Sequence, residues 1–412
     1  MTERLDYVVS VTAPEDAFGV ENATFDADKD TIWTNNVACF PKYEYLEQQA
    51  DRIFIAGKHE KILGLPMGEL SFGSYLESHG QGAPGDGNPL ADANPIAKLL
   101  ASSFGLAPRL CAQSQVAAGS TASLIIQNDE SGGSGINYAA GDLIPVVLND
   151  GSIEVGYIYS TATTTSHTLA LALSAVPAEG NVIPAGVVCK WQEELDYQCQ
   201  IEAVSKTEDG AVFYGCVAKP KLDALIWSKN VTCQWEVMSA GFDDDMTGRT
   251  QPNAGAVRPT VASKGIFRIG PYGAAQTAST LTRLGIEPDF GLDIDGHQDP
   301  GDETRRWSSY IRKGAELSVK LFADRGWNPP GSGATLKEAL RTGGASYNRF
   351  CLVLQFGKTT GQIAAFGWPG LQISDAVAKS VADDGHPVEE ALFSVLHAAV
   401  AAGHPPVVAG FF

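Results

Sequence analysis

Hydrophobic positions along this chain recur mostly at a period of two, in short runs broken by glycine, proline and acidic residues, which is the pattern of β-strands joined by turns. Residues 1–50 depart from it. Asp26, Asp28 and Asp30 surround a short β-leaning piece, and Phe40, Tyr43 and Tyr45 follow no single period, so an irregular acidic N-terminal arm is expected there. From Arg52 onward strands are predicted over 53–55, 61–65 and 69–75, followed by a loop carrying Gly80, Gly82, Pro84, Gly85, Gly87 and Pro89. Asn94-Pro95 then supplies a helix cap and a first-turn proline, and Ile96, Leu99, Leu100 and Phe104 share one helical face as far as Gly105. One short amphipathic helix is predicted.

Between 113 and 194 the chain has few basic residues, many Ser, Thr, Ala and Gly, and short alternating strands such as 168–173. Asn149-Asp150-Gly151 signals a hairpin. This stretch reads as a small inserted β-module. Longer strands return over 197–204, 211–218 and 231–238, with a turn at Glu208-Asp209-Gly210 and an acidic break at Asp243-Asp244-Asp245. Pro252, Gly255 and Pro259 give 248–264 the composition of a linker.

The second half repeats the order of the first, and an internal repeat changes the fold assignment. Glu69-Leu70-Ser71, a Gly/Pro loop and the helix are matched by Glu316-Leu317-Ser318, the loop Pro329-Pro330-Gly331 and a predicted helix with Leu336, Ala339 and Leu340. The hairpin around Gly210 and the step Pro220-Lys221-Leu222 are matched by strands on either side of Gly361 and by Pro369-Gly370-Leu371. The final strand at 231–238 is matched by 391–396, within a stretch, 389–397, where strand is favoured over helix.

Composition narrows the class. A length of 412 residues leaves room for two or three domains, and 44 Gly with 22 Pro argue against a helical bundle. Lys and Arg number 29 against 48 Asp and Glu, a net charge of −19, which disfavours non-specific binding to nucleic-acid phosphate or anionic lipid. The seven cysteines never form a CxxC pair and several sit in apolar runs, so they are expected as buried thiols. No signal-peptide core stands near Met1, and no apolar run reaches the roughly 18 residues of a membrane helix. Synthesis in a cytoplasm, without a membrane partner, is expected.

Candidate chemistry is sparse. Asp293, Asp295, Asp299, Asp302 and Glu303 could offer oxygen ligands to a hard cation, but Gly296 comes two positions early for an EF-hand and no glutamate closes the loop, so a solvated acidic turn is expected. The histidines show no HExxH or paired metal spacing, and neither GxSxG nor GxxxxGK[ST] occurs. The glycine-rich segments 80–87 and 131–135 lack a strand-to-helix phosphate setting. No catalytic, cofactor-binding or metal residue is therefore assigned, no cofactor is expected, and the chain is not read as an enzyme.

The order Glu69-Leu70-Ser71, glycine loop, short helix ending Leu99-Leu100-Ala101-Ser102-Ser103-Phe104-Gly105, hairpin, Pro-x-Leu step and final strand resembles the tail tube (major tail) proteins of long-tailed bacteriophages. The stretch from Ala140-Gly141-Asp142-Leu143 to Ala178-Glu179-Gly180 and Val182 resembles the additional β-segment of larger members. The resemblance implies a mainly β fold of duplicated tail-tube β-sandwich or barrel units, each flanked by a short helix, with a small inserted β-module. The expected division is an arm over 1–50, a first unit over 51–112 and 195–247, the module over 113–194, a linker over 248–264 and a second unit over 265–412. It further implies a structural virion protein that stacks as rings into the tail tube through which DNA is ejected, its acidic wall passing DNA without specific binding. Implied partners are copies of itself, with a tape measure, a tail terminator and baseplate or tip proteins. Two units per chain favour a trimeric ring with pseudo-sixfold symmetry over a hexamer. Tubes of contractile injection or type VI-like secretion systems are the near alternative; a β-rich adhesin or an enzyme with an unrecognised site are the distant ones.

Overall fold

The computed structural model describes residues 7–12, 25, 30–47, 61–76, 94–128, 138–205, 210–222, 231–245, 251, 265–280, 285–298, 306–313, 317–324, 349–374, 378–381 and 387–412. The chain begins with β1 (Val8–Thr12), β2 (Thr31–Ile32), β3 (Thr34–Glu47), β4 (Lys61–Tyr75) and helix α1 (Pro95–Phe104). Then come β5 (Arg109–Cys111), β6 (Ser114–Val116), β7 (Leu124–Asn128), β8 (Leu143–Val147), β9 (Ile153–Thr163), β10 (Ser166–Leu169), β11 (Val182–Ile183) and β12 (Gly186–Lys190). They are followed by β13 (Cys199–Val204), β14 (Gly210–Leu222), β15 (Thr232–Met238) and β16 (Gly241–Asp243). The second half holds β17 (Gly265–Pro271), β18 (Ser279–Thr280), β19 (Gly285–Asp289), β20 (Ile294–His297), β21 (Ser309–Arg312) and β22 (Ser318–Asp324). It continues with β23 (Arg349–Phe356), β24 (Ala364–Ile373), β25 (Ala378–Val381), β26 (Pro387–Val395), α2 (His397–Ala401) and β27 (Val408–Phe411). The protein is mainly β.

Two large antiparallel sheets share one order of connections. The first runs β2-β1-β13-β14-β15-β4-β3, with β16 also on β14; the second runs β18-β17-β23-β24-β26-β22-β19, with β27 also on β24. Read in chain order, the four early strands, the hairpin and the returning strand take the same seats in each. The hairpins even slip register at the same place. Cys199 pairs with Cys216 but Ile201 with Phe213, and Phe350 pairs with Leu371 but Leu352 with Trp368. Two residues of one strand therefore face one of the other, a β-bulge, and Gly215 within the first bulge holds a φ of +58°.

The expected arm over 1–50 is not irregular along its described residues. Val9 and Val11 are buried and β1 pairs with β13, while β3 forms a long hairpin with β4. The partner of β1 lies far along the sequence, so its pairing leaves no local signal. Three other expectations, the strand at 53–55, the linker beyond Gln251 and the helix around Leu336–340, lie outside the described residues.

Within 113–194, strands β6 to β11 form a six-stranded sheet of order β11-β6-β7-β10-β9-β8, and β11 lies back against β8 so that the sheet curls nearly closed. The hairpin at Asn149-Asp150-Gly151 is present, with Gly151 at a φ of +79°. Strand β12 leaves this module. It pairs with β27 and β5, and so joins the second large sheet.

Helix α1 explains how the layers stack. Asn94 Oδ1 accepts from Ile96 N at 2.8 Å as the N-cap, and Gly105 closes the helix in the left-handed region, where any side chain would meet Glu194 O. Every residue of α1 is buried, because one side rests on β14 and β1 and the other on β12. Phe104 touches Phe290, with ring centroids 5.5 Å apart, and Phe290 touches Phe366 at 6.0 Å, a run of aromatics from the helix into the second sheet. On β23 and β24 one set of alternate residues, Leu352, Leu354, Phe366 and Trp368, faces this core, while Cys351, Val353 and Ala365 face the module. The second sheet is thus buried on both faces, and β23 reads as an almost unbroken apolar run.

Candidate assembly surface

Buried charge marks where the layers are bolted together. Arg268 of β17 reaches Glu154 of β9 at 3.6 Å, and its guanidinium also donates to Ala172 O at 3.2 Å and to Val155 O. Gln355 accepts from Val155 N at 2.9 Å and donates to Ile153 O at 2.8 Å. Asp142, fully buried, meets Arg109 of β5 and, at 2.9 Å, Lys190 of β12. Lys98 in the middle of α1 meets Asp30 at 2.7 Å, tying the helix to the segment before β2. Each pair joins different elements, a structural use of charge.

Burial favours the neutral forms of a thiol and two imidazoles in and beside the module. Burial pushes the Cys111 thiol up to about 12, with Asp142 adding to the effect, and pushes His167 down to about 4. His167 Nε2 lies 3.1 Å from Gln127 Oε1, to which a neutral imidazole donates. His404 is also lowered by burial; its Nδ1 lies 3.0 Å from the Tyr157 hydroxyl and its ring 4.5 Å from that of Tyr159. A thiol and imidazoles in these states pack and hydrogen-bond.

Of the residues weighed for chemistry from sequence, Asp299, Asp302 and Glu303 lie outside the described residues. Asp295 lies on β20, paired with β21, and forms an exposed ion pair with Lys313. Asp243 ends β16 on the first sheet, and its carboxylate accepts from Asp245 N at 2.9 Å. No cluster of three or more His, Cys, Asp or Glu fit to hold a metal occurs among the described residues. The glycine-rich segments 80–87 and 131–135, with His59, His79 and His386, lie outside them. All seven cysteines are buried. No helix among the described residues is long and apolar enough to cross a membrane.

Sequence patterning did not mark the surfaces on which the two halves meet. A groove of about 880 Å³ runs between them, with Lys219, Lys221 and Glu236 from β14 and β15 on one side and Glu287, Asp289 and Asp293 on the other. Lys219 Nζ donates to Ile294 O at 3.2 Å; burial lowers its pKa, against the opposing pull of Asp293 and Glu236. Across the first-sheet bulge lies the β20–β21 hairpin. Tyr310 donates its hydroxyl to Gly215 O at 2.6 Å, Arg306 N donates to Ala240 O at 2.7 Å, and Leu195, Val217, Ile294 and Tyr310 form a small apolar cluster. Arg312 stacks its guanidinium over Trp191 at 4.6 Å and donates to Ser103 O. Burial pushes Arg312 down to about 10.

The opposite flank of the first sheet is formed by β3. Among the described residues β3 pairs on one side only, with β4, and presents a long edge strand. Phe40 on β3 is 53% exposed and Trp33, just before it, 45%. A long edge strand carrying exposed aromatics is a surface that pairs with another chain unless something covers it. The chain matches no protein-family model and no curated protein.

Proposed function

We propose that this chain is a subunit of a stacked-ring protein tube of the phage tail-tube type, with two repeat units in each chain and three chains in each ring. The observation that carries the reading is the shared order of the two large sheets, strand for strand and with the bulge at the same seat. Seven antiparallel strands can be ordered in many ways, so one order occurring twice in one chain points to a repeated unit. A chain holding two like units, with an edge strand that pairs on one side only among its described residues, satisfies such an edge by closing into a ring, which removes free edges altogether. The charge of −19 suits a channel for DNA, since an acidic wall repels phosphate and lets it pass. The module, packed on the far face of the second sheet, stands apart from the groove between the halves and suits an outer position.

Electron microscopy of the purified protein, with light scattering for mass, tests the reading. Rings or stacked tubes with a central channel, and a ring mass three times that of the chain, are expected. A stable monomer at high concentration in every salt condition would overturn the tube, and six chains per ring would overturn the two-unit ring.

A further inference from the structure

Among the described residues one pair of cysteines stands opposite each other in a strand ladder: Cys199 at the start of β13 and Cys216 in β14. Every other cysteine pairs with a residue of another kind. As ladder partners Cys199 and Cys216 leave the sheet on the same face, and both belong to the core that α1 shares. The Cys199 thiol leans across the gap and donates to Cys216 O at 3.7 Å. Directly opposed residues of antiparallel strands hold their Cα atoms about 4.5–5.5 Å apart, inside the roughly 4.4–6.8 Å that a disulfide spans. The second sheet shows what the fold requires at these seats. Counted along the ladders from the shared bulge, Val237 takes the seat of Phe393 and Leu70 that of Val319, while Cys199 and Cys216 take those of Phe350 and Leu371. Two apolar side chains fill the seats in one unit, so packing alone does not call for two thiols in the other. The pair also lies where the halves are fastened: Gly215, next to Cys216, accepts from the Tyr310 hydroxyl at 2.6 Å through its carbonyl.

We propose that Cys199 and Cys216 are the two halves of a cross-strand disulfide, closed by exchange with a small disulfide of the glutathione type, and that the bond locks the bulge of the first sheet in its register. The proposal does not depend on the ring reading. In the first step one cysteine thiolate attacks a sulfur of oxidised glutathione, forms a mixed disulfide and releases one glutathione thiolate. The other cysteine thiolate then attacks the cysteine sulfur of that mixed disulfide and releases the second glutathione. The two thiol protons pass to the released thiolates, so two protein thiols are oxidised as one disulfide is reduced to two thiols. Both sulfurs are fully buried, so the exchange begins when the β13–β14 hairpin opens and the bond closes as the strands pair again. A slip of β13 by one residue would carry Cys199 to the opposite face and part the sulfurs. Once joined, the hairpin is held covalently in one register beneath the point where Tyr310 of the second half rests.

Full-length chain, purified with its thiols reduced, is equilibrated with mixed reduced and oxidised glutathione in enough urea to open the sheet, returned to buffer, and alkylated. Peptide mapping without reductant is expected to find the Cys199 and Cys216 peptides joined, the pair lighter by two hydrogens than the separate thiols. The joined chain should unfold at a higher urea midpoint, with its folding constant raised roughly a hundredfold, the scale for a closed loop of about 15 residues, and a reductant should erase the gain. Cys199→Ala is expected to lose the cross-link and the gain together; Cys216→Ala serves in its place should that variant fold poorly, while Cys39→Ala, on another strand of the same sheet, keeps both. The mapping needs no variant at all. A bond from Cys199 to Cys189 instead, thiols that stay reduced at equilibrium in the oxidising mixture, or a joined chain no more stable than the reduced one would each overturn the proposal.

Discussion

Gln355 of the second sheet holds the backbone of Val155 in the module, its side-chain oxygen 2.9 Å from the Val155 amide. The same side chain caps Ile153 O at 2.8 Å, so one amide satisfies two buried backbone groups of a strand it does not pair with. The module and the second sheet therefore share a core, and Cys351, Val353, Ile363, Ala365 and Val408 of the second half pack among the module's residues.

Two outcomes follow from that shared core. Gln355→Leu should lower stability by roughly 2–6 kcal/mol, at about 1–3 kcal/mol for each of the two backbone groups left dry, read as a drop in the urea midpoint at unchanged slope. Replacing residues 113–192 by a Gly/Ser linker should yield no soluble protein, because it strips one face of the second sheet and removes β12. A soluble, ring-forming deletion would show the module to be decoration.

Breaking the Arg268–Glu154 pair should be costly. Both groups are buried, so Arg268→Met leaves a carboxylate facing apolar surroundings, at about 3–5 kcal/mol. Adding Glu154→Gln should recover a good part of the loss, since the amide oxygen still accepts from Ser174 N. A double-mutant cycle in denaturant gives the coupling, and a value near zero would place the pair's worth elsewhere.

Acid should weaken the module through His167. Its pKa falls from the ordinary 6.5 to about 4 on folding, so between those values the unfolded chain binds more protons than the folded one. Stability from this group is complete above about pH 6.5 and is lost as pH falls through the folded value near 4. Carboxylates titrate in the lower part of this window, so the measurement is a difference. The pH dependence of the urea midpoint between pH 4 and 6.5 should be shallower in His167→Gln than in the parent, and an equal slope would remove His167 as the cause.

Calcium should leave stability unchanged. Asp295 already has Lys313 as its ion partner and sits on a paired strand, a poor start for a wrapping loop. A melting temperature raised by calcium, restored by chelator and abolished by Asp293→Ala with Asp295→Ala, would reverse the assignment.

Local signals survived into the structure where the physics is local. Asn94, Pro95 and Gly105 bound α1 at the expected residues, and the turn at Gly151 joins β8 to β9. The strand favoured at 389–397 is present as β26, although α2 follows it directly. Registers are another matter. The recurrence of Glu69-Leu70-Ser71 as Glu316-Leu317-Ser318 marks the right strands, β4 and β22, but the ladders match Leu70 to Val319, two residues on, a slip that keeps every side chain on its face. The two Pro-x-Leu steps are not counterparts: Pro220 lies opposite Trp235 beyond the first bulge, whereas Pro369 falls within the second. A bulge depends on two strands at once, so one strand's composition does not announce it. Nor does it announce exposure: Phe40 is an ordinary aromatic in the sequence and is half exposed only because the sheet turns it outward.

Strands β5 and β12 belong by sequence to the first half and by pairing to the second sheet, where β12 lies between β5 and β27. During synthesis, therefore, the ribosome delivers β12 well before the strand that will cover its open side. The first half must wait with that edge exposed, and the step that ends the wait joins residues far apart along the chain, the slow kind of closure. A nascent chain of this design is most prone to stick to its neighbours just before β27 emerges. Once β27 slides in, the two halves are stitched through a common sheet and can no longer unfold one at a time.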